Sequence, residues 1–267
     1  MTELEVLTQS IKEKKKLVAM LAPSFPIVFP YPAIISMLRK LGFSYIVEVA
    51  VGAKKTNEEL LALLKTDPNA RFITSPCPTI VRMVHKQMPQ YAKYFTTGVD
   101  SPMVATAKIV AEKYPGYQPI FIGPCIVKKL EATEDHPELN ILVITYEELA
   151  QVFTNFNIKE EISVDDQFDL AETGMTRIYP VDGGLTHSSG ILQQFSEGEV
   201  RVVSGWKNCE EAIKEFDANP KIRLLDILFC DGGCIGGPGI KSSLNTKERK
   251  KKILDYCSTD TKGPVFL

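Results

Sequence analysis

The chain reads as an α/β protein, with mostly parallel sheet flanked by helices in two lobes. Three observations predict this. Short apolar runs alternate with helical patterns, the order that builds parallel layers. Composition is ordinary for a globular protein, with 44% apolar and 24% charged residues. Its 267 residues suffice for one or two domains and a sizeable core. In order, 17–21 reads as a strand, followed by a Pro-rich loop and a helix at 33–41. A strand at 45–51 precedes a helix at 57–65. A strand at 71–74 precedes a helix at 79–87, and a stronger helix spans 102–113. Strands follow at 119–122 and 141–144, the latter leading into a helix at 146–153. A late strand covers 224–229. The lobes are expected at about 1–155 and 156–267, with the break somewhere in 155–169.

Net charge excludes some functions. With 31 basic and 33 acidic side chains, net charge is −2, giving no global attraction to nucleic acid or anionic membrane. Residues 17–38 carry no charge over 22 positions, the length of a membrane span. Pro23, Pro26, Pro30 and Pro32 argue instead for buried strand, loop and helix, because proline removes donors and clashes with helix carbonyls. Residues 1–16 have no apolar core of a secretory signal and end in a lysine- and glutamate-rich stretch. The expected location is cytoplasmic. There, six cysteines are thiols or metal ligands rather than disulfides.

Three cysteine segments each follow an expected strand, where ligand sites of open α/β sheets collect. Thr74-Ser75-Pro76-Cys77-Pro78 holds a thiol on a stiff loop; alone it also suits a buried structural cysteine. In 123–131, Cys125 follows Pro124, and Lys128 lies one helical turn on, where a cation could favour a thiolate or an anion. The other reading is a surface lysine pair at a helix start. In 230–239, Cys230 and Cys234 share a loop with five glycines, which permit close backbone approach to an anion. Thiolates four apart suit an iron–sulfur cluster, while the zinc-type C-x-x-C is missing. Together Cys77, Cys125, Cys230 and Cys234 make the four thiolates a 4Fe–4S cubane needs. Cys209 and Cys257 lie in charged helical stretches and are bystanders. His85, His136 and His187 read as surface residues. The basic run at 247–252 is a solvated helix face or a docking surface for an acidic partner.

The three segments resemble, in order and spacing, the signature motifs of the iron-only (FeFe) hydrogenase catalytic domain. Those run T-S-C-C-P, then M-P-C-x-x-K-x-x-E, then M-A-C-x-x-G-C-x-x-G-x-G. Ala22-Pro23-Ser24 and Ser101-Pro102-Met103 resemble two further segments of that domain. The resemblance implies two lobes with a metal cluster between them. It implies an H-cluster, a 4Fe–4S cubane joined to a diiron subcluster with CO, cyanide and azadithiolate ligands. By position, Cys77, Cys125, Cys230 and Cys234 would bind the cubane, with Cys234 bridging to the diiron unit. Lys128 would hydrogen-bond a cyanide. Ser24 would contact the other cyanide, with Ala22, Pro23, Pro76, Ser101, Pro102 and Met103 around the cofactor. Implied partners are ferredoxin or a similar electron carrier and the hydrogenase maturation proteins.

Departures shape the functional expectation. Pro76 stands where the family usually has a proton-donating cysteine. The acids of the usual proton path fall near Glu58 and Glu59, and Thr97 is a candidate hydroxyl. Gly123, Leu228–Phe229 and Met103 replace the family's Met, Met–Ala and Gln. The leading expectation is a reversible hydrogenase with Lys128 and Cys234 at the reacting end. The alternatives are a slow hydrogen-sensing relative, for which Pro76 speaks, and a non-catalytic iron–sulfur scaffold.

Overall fold

The computed structural model describes residues 1–67, 69–161, 166–172, 174–188 and 190–260. Its elements run α1 (Glu3–Lys12), β1 (Leu17–Leu21), α2 (Ala33–Leu41), β2 (Tyr45–Glu48), α3 (Ala50–Thr66), β3 (Phe72–Ile73), α4 (Pro78–Gln87), α5 (Pro102–Lys113) and β4 (Gln118–Gly123). They continue as α6 (Lys128–Leu130), β5 (Leu142–Thr145), α7 (Tyr146–Asn155), α8 (Gly184–His187), β6 (Val200–Ser204), α9 (Trp206–Ala218), β7 (Leu224–Leu228) and α10 (Thr246–Cys257). Four strands form one sheet in the order β2-β1-β4-β5, and three form another, β3-β7-β6. Every strand pair is parallel.

Local chemistry sets the boundaries. Thr2 with Glu5, Thr145 with Glu148, and Asn245 with Glu248 form reciprocal caps that start α1, α7 and α10. All five residues of β1 and of β7 are buried, as strands covered on both faces require. Gly42, at φ 110°, closes α2 in the left-handed conformation that glycine adopts without strain. The apolar run 45–51 divides: four residues are strand, and α3 already begins at Ala50, seven residues before the expected start. Gly52 explains the tight α3–α5 packing, since a Cβ there would lie 2.2 Å from the Pro102 carbonyl oxygen. The uncharged stretch 17–38 is strand, 3-10 turn and α2, and no helix among the described residues is long and apolar enough to cross a membrane.

The sheets do not follow the two halves of the sequence. β3 comes from the first half yet pairs with β7. α10 comes from the second half, and its Ile253, Tyr256 and Cys257 join the core around β1 and β4. The expected break at 155–169 lies partly outside the described residues. A buried ion pair ties these crossings together. Arg177 is 1% exposed, and its Nε donates to both oxygens of fully buried Glu48, at 2.9 and 3.1 Å. The Tyr256 hydroxyl also donates to Glu48, and the Arg177 guanidinium lies 4.4 Å from the Tyr256 ring centroid. β2, the 174–178 turn and α10 therefore meet at one charged point.

Removing one member leaves a buried charge without its partner, so Arg177→Met should lower the unfolding free energy by about 3–5 kcal/mol. Urea titration of the apoprotein measures this, and adding Glu48→Gln should recover part of the loss.

Candidate metal centre

All seven strands point their carboxyl ends toward loops, and four of those loops meet. β1 runs into Ala22-Pro23-Ser24, β3 into Pro76-Cys77, β4 into Pro124-Cys125, and β7 into Cys230 and Cys234. Cys77 is buried and caps α4, with Pro78 at the first helical position, where a missing N–H costs nothing. Cys125, Cys230 and Cys234 are partly buried. Each of these three sits within electrostatic reach of Cys77, and Cys234 also feels Cys125 and Cys230. The structure thus brings the four expected thiols together, with Cys209 packed near enough to Cys77 and Cys230 to feel their charge, and leaves Cys257 in the core around β1 and β4.

Burial sets the state of these thiols. It pushes Cys125 above its ordinary range, with Lys128 pulling the other way. Burial, then the charges of Cys77 and Cys125, push Cys230 up to about 12. Cys234 is raised further, by burial and then by the other three cysteines. Neutral apoprotein therefore holds Cys125, Cys230 and Cys234 as protonated thiols, and metal binding must expel their protons. Among the described residues no three His, Cys, Asp or Glu side chains close on a single ion. A cubane takes its four thiolates at four different irons, so an all-sulfur set spread over three loops suits it.

A cavity of about 80 Å³ opens beside Cys234 and Cys125. Ala22, Pro23, Ser24, Pro76, Pro102 and Met103 line it, as do Lys128, Tyr179 and Asp226. Lys128 is 8% exposed. It donates to the Pro76 carbonyl oxygen at 3.2 Å and to Ser101 Oγ at 3.0 Å. It also contacts Glu131 Oε2 as an ion pair without an aligned hydrogen bond. Ser101 therefore acts behind Lys128, not on the cavity wall. The Tyr146 hydroxyl donates to the Ala22 carbonyl oxygen at 2.8 Å, so at 2.7 Å the Ser24 hydroxyl must donate to Tyr146. Ser24 lines the cavity, where it offers lone pairs and no hydrogen.

The residues expected on a proton path lie off the cavity wall. Glu58 is exposed beside Lys55, and Glu59 accepts from the Asp100 N–H at 3.0 Å. Thr97 is exposed. None of the three lines the cavity. The five glycines of the third segment serve packing rather than anion binding. A Cβ on Gly237 or Gly239 would lie 2.6 or 2.9 Å from the Pro124 carbonyl oxygen. All five of their N–H groups bond within the protein. Within the basic run, Arg249 turns inward and donates to the carbonyls of Ile235, Ser242 and Leu244, each at 2.9 Å. It anchors the loop carrying Cys234, a role hidden because its neighbours in sequence are solvated lysines. Asp226 was also missed, although a lone acid within an apolar strand is a visible signal.

The profile of the iron only hydrogenase large subunit, C-terminal domain, matches residues 15–238. The chain belongs to this family. As a member of the iron-only hydrogenase family, it is 26% identical over 259 residues to the NADP-reducing hydrogenase subunit HndD of Solidesulfovibrio fructosivorans, covering 76% of this chain and 44% of that protein. It is 22% identical over 275 residues to the probable cytosolic Fe-S cluster assembly factor oxy-4 of Caenorhabditis elegans, covering 83% of the chain and 60% of the relative. The chain thus spans about half the length of the curated relatives it matches. A variant of the FeFe hydrogenase HydA1 from Chlamydomonas reinhardtii superposes with a TM-score of 0.76 at 20% identity, covering 97% of this chain and 90% of that one. This family member therefore has the hydrogenase fold.

Raised thiols give the family member's apoprotein a signed pH dependence. Cys209, Cys230 and Cys257 move from 9.0 to about 12 on folding, each chiefly through burial. A group raised on folding stabilises fully below its unfolded value and loses that contribution as pH climbs to its folded value. The urea midpoint of the apoprotein should fall as pH rises above about 9, and a Cys209→Ala, Cys257→Ala double variant should show a shallower fall.

Proposed function

We propose that this chain holds an H-cluster and interconverts protons and electrons with molecular hydrogen. One observation carries the reading: the cavity beside Cys234, lined by Lys128 and apolar side chains. A plain cubane needs four thiolates and no adjoining chamber. The chain spans part of its relatives' length, and the reading concerns the chemistry of this domain.

The donor set fits the group. Cys77, Cys125, Cys230 and Cys234 would hold the cubane, and Cys234, which borders the cavity, would bridge to the diiron unit. When bound, such a cofactor supplies the redox and hydrogen-binding chemistry. The chain's own residues do the rest. Pro23, Pro76, Pro102, Met103 and Phe121 keep the cavity dry, which strengthens every electrostatic interaction inside it. Lys128 supplies the positive charge for an anionic ligand, giving up its bond to Ser101 or to the Pro76 carbonyl. Cys230 is partly exposed and does not line the cavity, so electrons would leave past it toward a ferredoxin-type carrier.

Pro76 and the resemblance to an assembly factor favour a second reading, an iron–sulfur protein with little or no turnover. Infrared spectra of anaerobic protein, reconstituted with cubane and synthetic diiron cofactor, decide between them. The proposal expects sharp CO and cyanide bands that shift under hydrogen and vanish in Cys234→Ala. Full hydrogen evolution by Cys234→Ala would refute it, and a cubane signal without those bands would favour the scaffold. Pro76→Cys, which restores an ionisable thiol at the cavity, should raise hydrogen evolution by about 100-fold if proton supply limits the rate.

A further inference from the structure

Asp226 occupies the middle of β7, where all five residues are buried, and is itself 2% exposed. Strand alternation turns Leu224, Asp226 and Leu228 to one face. Asp226 and Leu228 both reach the cavity. Asp226 Oδ2 accepts two hydrogen bonds, from the Thr186 N–H at 3.2 Å and from the Thr186 hydroxyl at 2.5 Å. Its other oxygen, Oδ1, has no hydrogen-bond partner among the described residues. A carboxyl at a cavity wall, held by one oxygen and free at the other, can carry a proton on the free one.

The other polar groups of the cavity are already committed. Pro76 has no proton to give. The Ser24 hydrogen goes to Tyr146, and the Tyr146 hydrogen to the Ala22 carbonyl. Tyr179 lines the cavity too, but its hydroxyl donates to Asn57 Oδ1 at 3.1 Å. Lys128 is spent on Pro76, Ser101 and Glu131. Cys125 and Cys234 are assigned to the metal. From these constraints we propose that Asp226 is the proton-carrying carboxyl of the cavity, in place of the thiol that Pro76 removes. This rests on the H-cluster reading above.

The step balances as proton transfer alone. The acid form would give one proton from Oδ1 to the azadithiolate amine that the H-cluster reading supplies, and become the carboxylate. Both Thr186 donors stay on Oδ2 and hold that carboxylate in place. One proton from solvent restores the acid, and hydrogen oxidation runs the same transfer backwards. The solvent side is α8, where His187 follows Thr186 and is exposed. Charged and titratable groups facing Asp226 are Tyr179, His187 and Asp182. Burial raises the Asp226 carboxyl, Thr186 lowers it through two hydrogen bonds, His187 lowers it and Asp182 raises it. The net is upward, because burial outweighs the Thr186 hydrogen bonds.

The test compares wild type with Asp226→Asn and Asp226→Glu, as apoprotein and after reconstitution. In apoprotein, infrared difference spectra across a pH titration should show a buried carboxylic-acid band in wild type that Asp226→Asn lacks. Absence of that band from wild type would overturn the proposal. After loading, Asp226→Asn should keep the CO and cyanide bands and lose hydrogen evolution by about 100-fold, with Asp226→Glu intermediate. An unchanged rate and pH profile in Asp226→Asn, with the bands present, would overturn the assignment of Asp226 alone. Bands missing from loaded wild type would overturn the H-cluster reading and this proposal with it.

Discussion

Parallel strand pairing is the constraint on which the site depends. In a parallel sheet every strand ends at the same edge, so loops after different strands share one neighbourhood. Two such sheets set the carboxyl ends of β1, β4, β3 and β7 around one cavity. Residues 77, 125, 230 and 234 meet there because each follows a strand, not because they are near in sequence. An antiparallel strand in either sheet would send its loop to the far end. The crossing of β3 into the second sheet is therefore functional as well as topological, since without it Cys77 would not reach the other three.

Electrostatics then sets what the assembled point tolerates. Thiolates at Cys125, Cys230 and Cys234 would repel one another in a desolvated site, and Lys128 is the cation the structure brings to Cys125 and Cys234. The unloaded protein avoids this repulsion by keeping the protons. Bound iron would supply the opposing charge, and the cysteines would give up their protons to hold it. The Glu48–Arg177 pair meets the same problem by mutual neutralisation. One buried charge cluster is closed and structural, the other open and awaiting a ligand.

Much of this was legible in the sequence, and the gaps have physical causes. Cys77, Cys125, Cys230 and Cys234 stood out because proline and glycine mark the loops around them. Strand β1 and helices α2 and α5 were placed within a residue, because caps and apolar runs coincide there. The start of α3 was misplaced because Val49 and Val51 continue the apolar run of β2 into the helix. α1 and β6 were not identified as elements, since charged residues interrupt their apolar pattern. The glycines of 230–239 looked like an anion cradle, but only three dimensions reveal that Pro124 and Asp231 press against them. The direction of the Ser24–Tyr146 bond was likewise hidden, because it depends on a carbonyl 124 residues from the tyrosine.

The commitments of single hydrogens also divide labour around the cavity. Tyr146 and Ser24 form a fixed chain ending on the Ala22 carbonyl, so they stiffen the β1 loop and cannot carry protons without breaking it. Lys128 is fixed by Pro76 and Ser101, which places its charge near Cys125 and Cys234 before any ligand arrives. Elsewhere on the lining, Thr186 holds one oxygen of Asp226, and the other has no hydrogen-bond partner among the described residues. Satisfied donors would hold a cofactor in position, while the unsatisfied oxygen is the atom proposed to carry the proton. Substituting proline at position 76 removes an ionisable group from the first wall without disturbing either network, because Pro76 contributes only its carbonyl to Lys128. Proline at this position thus leaves the Lys128 charge, the apolar cavity lining and the thiols in place.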